Sequence, residues 1–94
     1  MSSEALAKGD EFIPMFYVYL IQSISFPKQR YIGYTTDLKA RFKKHNEGGS
    51  KHTATYKPWK LIMYLGFADK DNALAFEAYL KSGSGNAFAK KRLW

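Results

Sequence analysis

Phe16 to Ile21 is an unbroken apolar and aromatic run, rich in strand-forming residues, and reads as a buried strand. Ser23 to Lys28, with Pro27, supplies a turn, and Arg30 to Tyr34 reads as a second short strand. The chain is therefore committed to a hairpin within its first third, and everything downstream has to pack against it. Gly33, inside the second strand, marks a place where backbone must come close to something.

The remaining segments follow from caps and breakers. Thr36 is a good N-cap and Asp37 suits a first helical turn, so a helix is expected from there to about Asn46, stopped by Gly48-Gly49. Gly48 to Lys57 is a polar loop carrying Lys51, His52 and Lys57. Trp59 to Phe67 is a third strand whose start is fixed by Pro58. Asp71 is expected to cap a second helix that runs to about Lys81 and is broken by Ser82-Gly83-Ser84-Gly85, leaving Asn86 to Trp94 as a short final helix or turn. The order ββαβαα, a hairpin plus a third strand and helices, predicts an α+β fold with a small sheet covered by helices. Residues 1–14 are small and polar and end at Pro14, so they are expected to be a flexible leader, with the domain over 15–94.

A chain of 94 residues makes one domain, and 46% apolar with 17% aromatic residues is enough for a core. Its net charge is +7. Lys8 against Glu4, Asp10 and Glu11 leaves −2 over residues 1–14, so +9 sits on residues 15–94. A domain of that charge favours polyanions, nucleic acid first among them, over the alternative of a merely soluble basic protein. A membrane-surface role fits less well, because the Lys and Arg residues are not confined to one face of one amphipathic helix. No stretch approaches the roughly 20 apolar residues of a membrane span. The absence of cysteine excludes disulfides and thiolate metal sites, and with no signal-peptide pattern the expected location is cytoplasmic.

Several side chains stand out against that background. Ala73, Phe76, Glu77 and Leu80 fall on one helical arc, which puts a carboxylate on an apolar face. Such a carboxylate is costly unless it is paired or binds a metal; Arg41 is one candidate partner, and a Glu reaching out from the edge is another reading. In the first helix, Leu38 and Phe42 mark the inward stripe, with Arg41 and His45 one turn apart at its rim. Arg41 offers a rigid fork for phosphate oxygens. His45 suits proton transfer or a phosphate contact, or is simply a helix-terminal histidine favoured by the macrodipole. Lys39, Lys43 and Lys44 spread into solvent, as a solvated face or as phosphate contacts. Tyr17 and Tyr19 share one side of their strand, and Tyr31 and Gly33 share one side of theirs. Their hydroxyls are candidates for phosphate binding or water activation, although strand tyrosines are commonly packing residues; an unperturbed tyrosine titrates near pH ~10 and needs cationic neighbours to act as a base. Two histidines without cysteine do not make a zinc site, Gly48-Gly49 lacks the phosphate-loop pattern, and no Ser-His-Asp or Cys-His set is present.

Taken together these residues resemble the GIY-YIG nuclease superfamily, over about residues 15–94, and especially its small stand-alone bacterial members. Tyr17-Val18-Tyr19 occupies the place of the first triplet, with Tyr17 where the glycine stands, and Tyr31-Ile32-Gly33 matches the second letter for letter. Arg41 lies at the family's interval after the second tyrosine, and Glu77 lies in the later helix where the family keeps its metal-binding glutamate. The resemblance implies a three-stranded antiparallel sheet flanked by helices, a DNA phosphodiester substrate, and one divalent metal, Mg²⁺ or Mn²⁺. It implies Tyr31 as the general base or water-orienting group, Tyr19 in support and on the phosphate, Arg41 on the transition-state charge, His45 in proton transfer, and Glu77 on the metal. Asn86 is the candidate for the asparagine that some members place after the glutamate, and with Lys39, Lys43, Lys44 and Lys51 it completes the expected nucleic-acid contacts. No DNA-binding or zinc domain is appended, so targeting by a protein partner is expected.

Three functions are therefore carried forward. The first is a metal-dependent DNA endonuclease, or a nuclease-like domain, acting in repair or recombination. The second is a non-catalytic nucleic-acid-binding module that keeps the nuclease fold. The third is a protein-interaction domain, which requires Arg41 and Glu77 to form a structural pair.

Overall fold

The computed structural model describes residues 15–94, so the expected leader over 1–14 lies outside the described residues. Strand β1 spans Phe16–Ser23 and β2 spans Arg30–Thr35. Helix α1 spans Leu38–Asn46, a single 3₁₀ turn covers Ala54–Tyr56, and β3 spans Trp59–Phe67. Helices α2, Lys70–Lys81, and α3, Gly83–Arg92, complete the chain. The fold is α+β, with one antiparallel sheet in the order β2-β1-β3 and helices packed on it. No helix among the described residues is long and apolar enough to cross a membrane.

The apolar run at Phe16–Ile21 becomes the central strand. Val18, Tyr19, Leu20 and Ile21 are all fully buried, because a strand with neighbours on both sides and helices on both faces has no wet surface for alternating polar residues to meet. The two faces form separate cores. Val18 and Leu20 pack with Ala73 and Leu80 of α2 and Ala89 of α3. Tyr19, Ile21 and Trp59 pack with Leu38 and Phe42 of α1 and with Tyr31 and Tyr56. Each fully buried Val, Leu or Ile stabilises by about 1.5–3 kcal/mol. A few such residues match the whole ~5–15 kcal/mol margin of a small domain, so β1 has little tolerance for polar replacement.

Register decides which side chains meet. Tyr17 pairs with Thr35, Tyr19 with Gly33 and Ile21 with Tyr31. Directly opposite residues share a face, so both tyrosine triplets present Tyr17, Tyr19 and Tyr31 to the α1 side. On the other edge, Leu20 pairs with Met63 but Ile21 with Leu61. The register skips Ile62, a bulge that keeps Trp59 beside Ile21 in the α1-side core.

The helix starts differ from the expected ones. Asp37, not Thr36, caps α1: its carboxylate accepts from the Ala40 N–H at 3.1 Å, while Thr35 Oγ1 accepts from the Asp37 N–H at 3.0 Å. Asp69, not Asp71, caps α2 by accepting from the Asn72 N–H at 3.0 Å; Asp71 sits in the first turn, where the helix dipole also favours an acid. The Ser82-Gly83-Ser84-Gly85 stretch does end α2. Ser82 then caps α3, accepting from the Gly85 N–H at 3.2 Å, and the helix starts at Gly83. Glycines are poor helix formers, but any side chain on Gly85 would overlap the Tyr79 carbonyl, so close packing of the corner overrides propensity. The end of α1 matches expectation, and Gly48 takes the positive φ, 79°, that follows it.

Candidate active site

The close approach anticipated at Gly33 is made by Tyr19. A Cβ on Gly33 would overlap the Tyr19 ring and hydroxyl, so the bare backbone of β2 lets the Tyr19 ring lie across it toward α1. There the Tyr19 hydroxyl and His45 Nε2 are 2.7 Å apart, and His45 Nδ1 is 2.7 Å from Thr53 Oγ1. The Thr53 hydroxyl in turn points at the Ser50 carbonyl at 3.4 Å. A threonine that donates to a carbonyl can only accept from the imidazole, so His45 carries its proton on Nδ1 and Nε2 accepts from Tyr19.

His45 was expected at the rim of the core. It is fully buried instead, as are Tyr19 and Thr53. The reason lies in the loop after α1. Asn46 brackets the backbone of Trp59, accepting from its N–H at 2.5 Å and donating to its carbonyl at 3.2 Å. The Trp59 indole donates to the Thr53 carbonyl at 2.9 Å. These bonds fold residues 50–56 over the last turn of α1 and close it from solvent. Burial, with Arg41 and then Lys44 adding like charge, pulls the His45 pKa down to about 4, so the ring is neutral near pH 7. Burial also pushes Tyr19 above the usual tyrosine range, partly offset by Arg41.

Tyr31 completes the cluster from β2. Its ring centre lies 5.1 Å from that of His45 and 6.3 Å from that of Tyr19, and unlike either it is part-exposed. The Arg41 guanidinium stands near both tyrosine hydroxyls. Attraction to the Tyr19 hydroxyl outweighs burial and raises its pKa, so it stays charged. Its Nε–H is nevertheless buried with no hydrogen-bond acceptor. An orphaned buried donor on a cation, next to an accessible tyrosine, is a place where an anionic oxygen would be stabilised.

Glu77 lies on the arc that the sequence predicts, with Ala73 and Leu80 fully buried and Phe76 part-buried beside it. Its ion partner is Lys81, at 3.2 Å one turn on, and its side chain is 20% exposed. Arg41 and Glu77 form no salt bridge among the described residues, so the pairing that an interaction domain would need is absent. The Glu77 charge still reaches the Tyr19 hydroxyl, where it adds to the upward shift. No group of three or more His, Cys, Asp and Glu gathers among the described residues. A metal here would hold one protein carboxylate and take its other ligands from water and a substrate phosphate. Mg²⁺ is commonly bound that way, so the donor set fits a small divalent ion.

The remaining expected contacts divide between the two sides of the sheet. Lys39, Lys43 and Lys44 are exposed on α1, with Lys43 3.9 Å from Glu47, and Lys51 is exposed in the following loop. Asn86 is on α3, in a groove with Lys81 and Lys90 and away from the α1 lysines. Thr53 carried no sequence signal; Lys81 did, as the residue four positions after Glu77.

Comparison with known proteins identifies the family. The family model described as the GIY-YIG catalytic domain matches residues 15–92. A UPF0213 protein of Streptococcus pneumoniae is 52% identical over 52 residues, which cover 54% of this chain and 52% of that one. A structure-specific endonuclease subunit SLX1 homolog of Giardia intestinalis is 37% identical over 65 residues, 65% of this chain but 18% of that protein. The chain thus matches about half of the first relative's length and a smaller part of the second's. The solution NMR structure of a UPF0213 protein from Bacillus halodurans superposes with a TM-score of 0.50 at 31% identity, covering 82% of this chain and 83% of that one. With the family model matching most of its length, the chain belongs to the GIY-YIG family and carries its catalytic domain.

Proposed function

We propose that this chain is a metal-dependent DNA endonuclease that hydrolyses a phosphodiester bond, acting in repair or recombination with a protein partner for targeting. The observation that carries the reading is the buried, unpartnered Nε–H of Arg41 beside the part-exposed Tyr31. On this reading a non-bridging phosphate oxygen accepts from Arg41, whose charge is fixed and close to where charge develops. Tyr31 accepts a hydrogen bond from the attacking water and orients it; as the new P–O bond forms in line with the breaking P–O3′ bond, the water's proton passes to solvent and the departing O3′ takes one from solvent. Tyr19, fully buried, acts without touching substrate: it donates to His45, leaving its oxygen lone pairs facing Arg41. His45 then serves as the fixed acceptor that sets the Tyr19 hydroxyl, rather than as a group that meets the substrate. A divalent ion on Glu77, Mg²⁺ or Mn²⁺, would supply Lewis-acid neutralisation of the phosphate and the leaving oxygen.

The test is cleavage of supercoiled and branched DNA with Mg²⁺ or Mn²⁺, by wild type, Tyr31→Phe and Glu77→Ala. Wild type alone should cut; equal background from all three removes the catalytic reading. Salt-dependent binding without cleavage, indifferent to Glu77→Ala, would instead mark a binding module.

A further inference from the structure

An open groove of about 450 Å³ lies between the start of β2, the end of α2 and α3, lined by Lys28, Arg30, Tyr31, Lys81, Asn86 and Lys90. All four cations are exposed, and among the described residues no Asp or Glu lines the groove. Like charges gathered in one groove repel and hold counterions, and a polyanion that displaces those counterions gains free energy from their release. The groove does not stand apart from the site. Tyr31 belongs to both, and Lys81 reaches Glu77 at 3.2 Å.

The groove also has a flat wall. Trp94 lines it, half-buried, with the Arg30 guanidinium carbon 4.9 Å from the centre of its ring. This cation–π contact fixes two planar groups together. Planar side chains beside a cationic track are what unpaired bases stack on, whereas the bases of a duplex are already stacked on each other and do not offer their faces.

We infer that this groove holds nucleic acid as an unpaired strand leading away from the phosphate at Tyr31, with its phosphates on Lys28, Lys81 and Lys90 and a base on the Arg30–Trp94 stack. The substrate class is then DNA with a single-stranded stretch next to the cut. The position of the strand relative to the cut rests on the nuclease reading of Tyr31 given above; the binding itself does not.

The experiment is fluorescence anisotropy in EDTA with a short labelled single strand, a blunt duplex of the same sequence, and that duplex with an unpaired overhang. The single strand and the overhang should bind more tightly than the blunt duplex. Trp94→Ala should weaken both by about fivefold or more and leave the blunt duplex unchanged. The exposed-lysine variant Lys81→Ala/Lys90→Ala, whose fold is checked by circular dichroism, should flatten the single-strand salt slope by roughly 0.7 per lysine removed. Equal affinity for the three DNAs overturns the inference, as does wild-type binding of the single strand by both variants. Tighter binding to phosphatidylserine vesicles or a phosphoserine peptide than to the single strand overturns it too. Adding Mg²⁺ or Mn²⁺ afterwards separates the two readings. Groove binding without cleavage removes the nuclease and keeps the groove; cleavage unaffected by the groove variants does the reverse.

Discussion

The Tyr19 hydroxyl donates to His45 Nε2 across 2.7 Å, tying the middle of β1 to the last turn of α1 inside a closed core. Because His45 spends its own proton on Thr53, at 2.7 Å, the direction of every bond in the chain Tyr19–His45–Thr53–Ser50 is determined. Thr53 is therefore the residue that sets the imidazole's tautomer. Thr53→Val should leave the Nδ1–H buried and unpaired and cost about 1–3 kcal/mol of stability. Thr53→Ser should retain most of it. Urea denaturation midpoints measure both, and the ¹⁵N shifts of the His45 ring should report a changed tautomer in Thr53→Val only.

Acid should destabilise the fold through the same ring. His45 titrates at about 4 when folded and near ~6.5 when unfolded. Between those values the unfolded chain binds the extra proton, so stability rises with pH there. This contribution is complete above pH ~6.5 and is lost progressively as pH falls toward 4, by up to about 3 kcal/mol. His45→Gln should flatten that part of the stability–pH curve. A curve of unchanged slope in the variant would show that the carboxylates, not His45, govern acid unfolding.

Gly33→Ala should be costly although it adds one methyl group. The added carbon would overlap the Tyr19 ring as well as its hydroxyl, so truncating the hydroxyl with Tyr19→Phe cannot relieve it. Overpacking of this kind costs about 1–3 kcal/mol. Thermal denaturation of Gly33→Ala with and without Tyr19→Phe checks the non-rescue.

Arg41→Lys should lower cleavage by on the order of 10²–10³, since a lysine keeps the charge but not the fork that presents Nε to a phosphate. Its stability should change little or improve, because the substitution removes a buried donor that has no partner. Single-turnover cleavage and unfolding measured on one preparation separate the two effects.

Glu77 and Lys81 should differ sharply. Their ion pair is largely exposed on the lysine side, so breaking it changes stability by no more than about 1 kcal/mol. Glu77→Gln should abolish Mn²⁺ binding, read by Mn²⁺ electron paramagnetic resonance, whereas Lys81→Ala should keep it.

The strands are legible because β1 reads as a continuous apolar run and Trp59–Phe67 follows directly on Pro58, both strong local signals. Glu77 was legible as a carboxylate on an apolar arc, and the two tyrosine triplets as strand partners. Helix periodicity places His45 at the edge of α1, while its burial comes from residues 50–56, held there by Trp59 and Asn46. That cover is a tertiary effect with no periodic signature. Thr53 was invisible for the same reason. The caps at Asp37 and Asp69 lie one and two positions from Thr36 and Asp71, which are equally plausible capping residues by type. The groove has no local signature because its cations come from segments some fifty residues apart in sequence, Lys28 just before β2 and Arg30 at its start, and Lys81 and Lys90 on the last two helices.

The corner at Gly85 bears on where a substrate would be cut. The α3 backbone is lodged against the Tyr79 carbonyl, with no space for a side chain between them. A corner packed this closely would hold Glu77 on one helix at a set separation from Asn86 and Lys90 on the other, so that the pair would act as a ruler. If a strand is seated along α3, the distance from its seat to the scissile bond is set by architecture and not by base sequence. Cut positions would stay at one offset from the paired region on every substrate, and only a longer corner would move them.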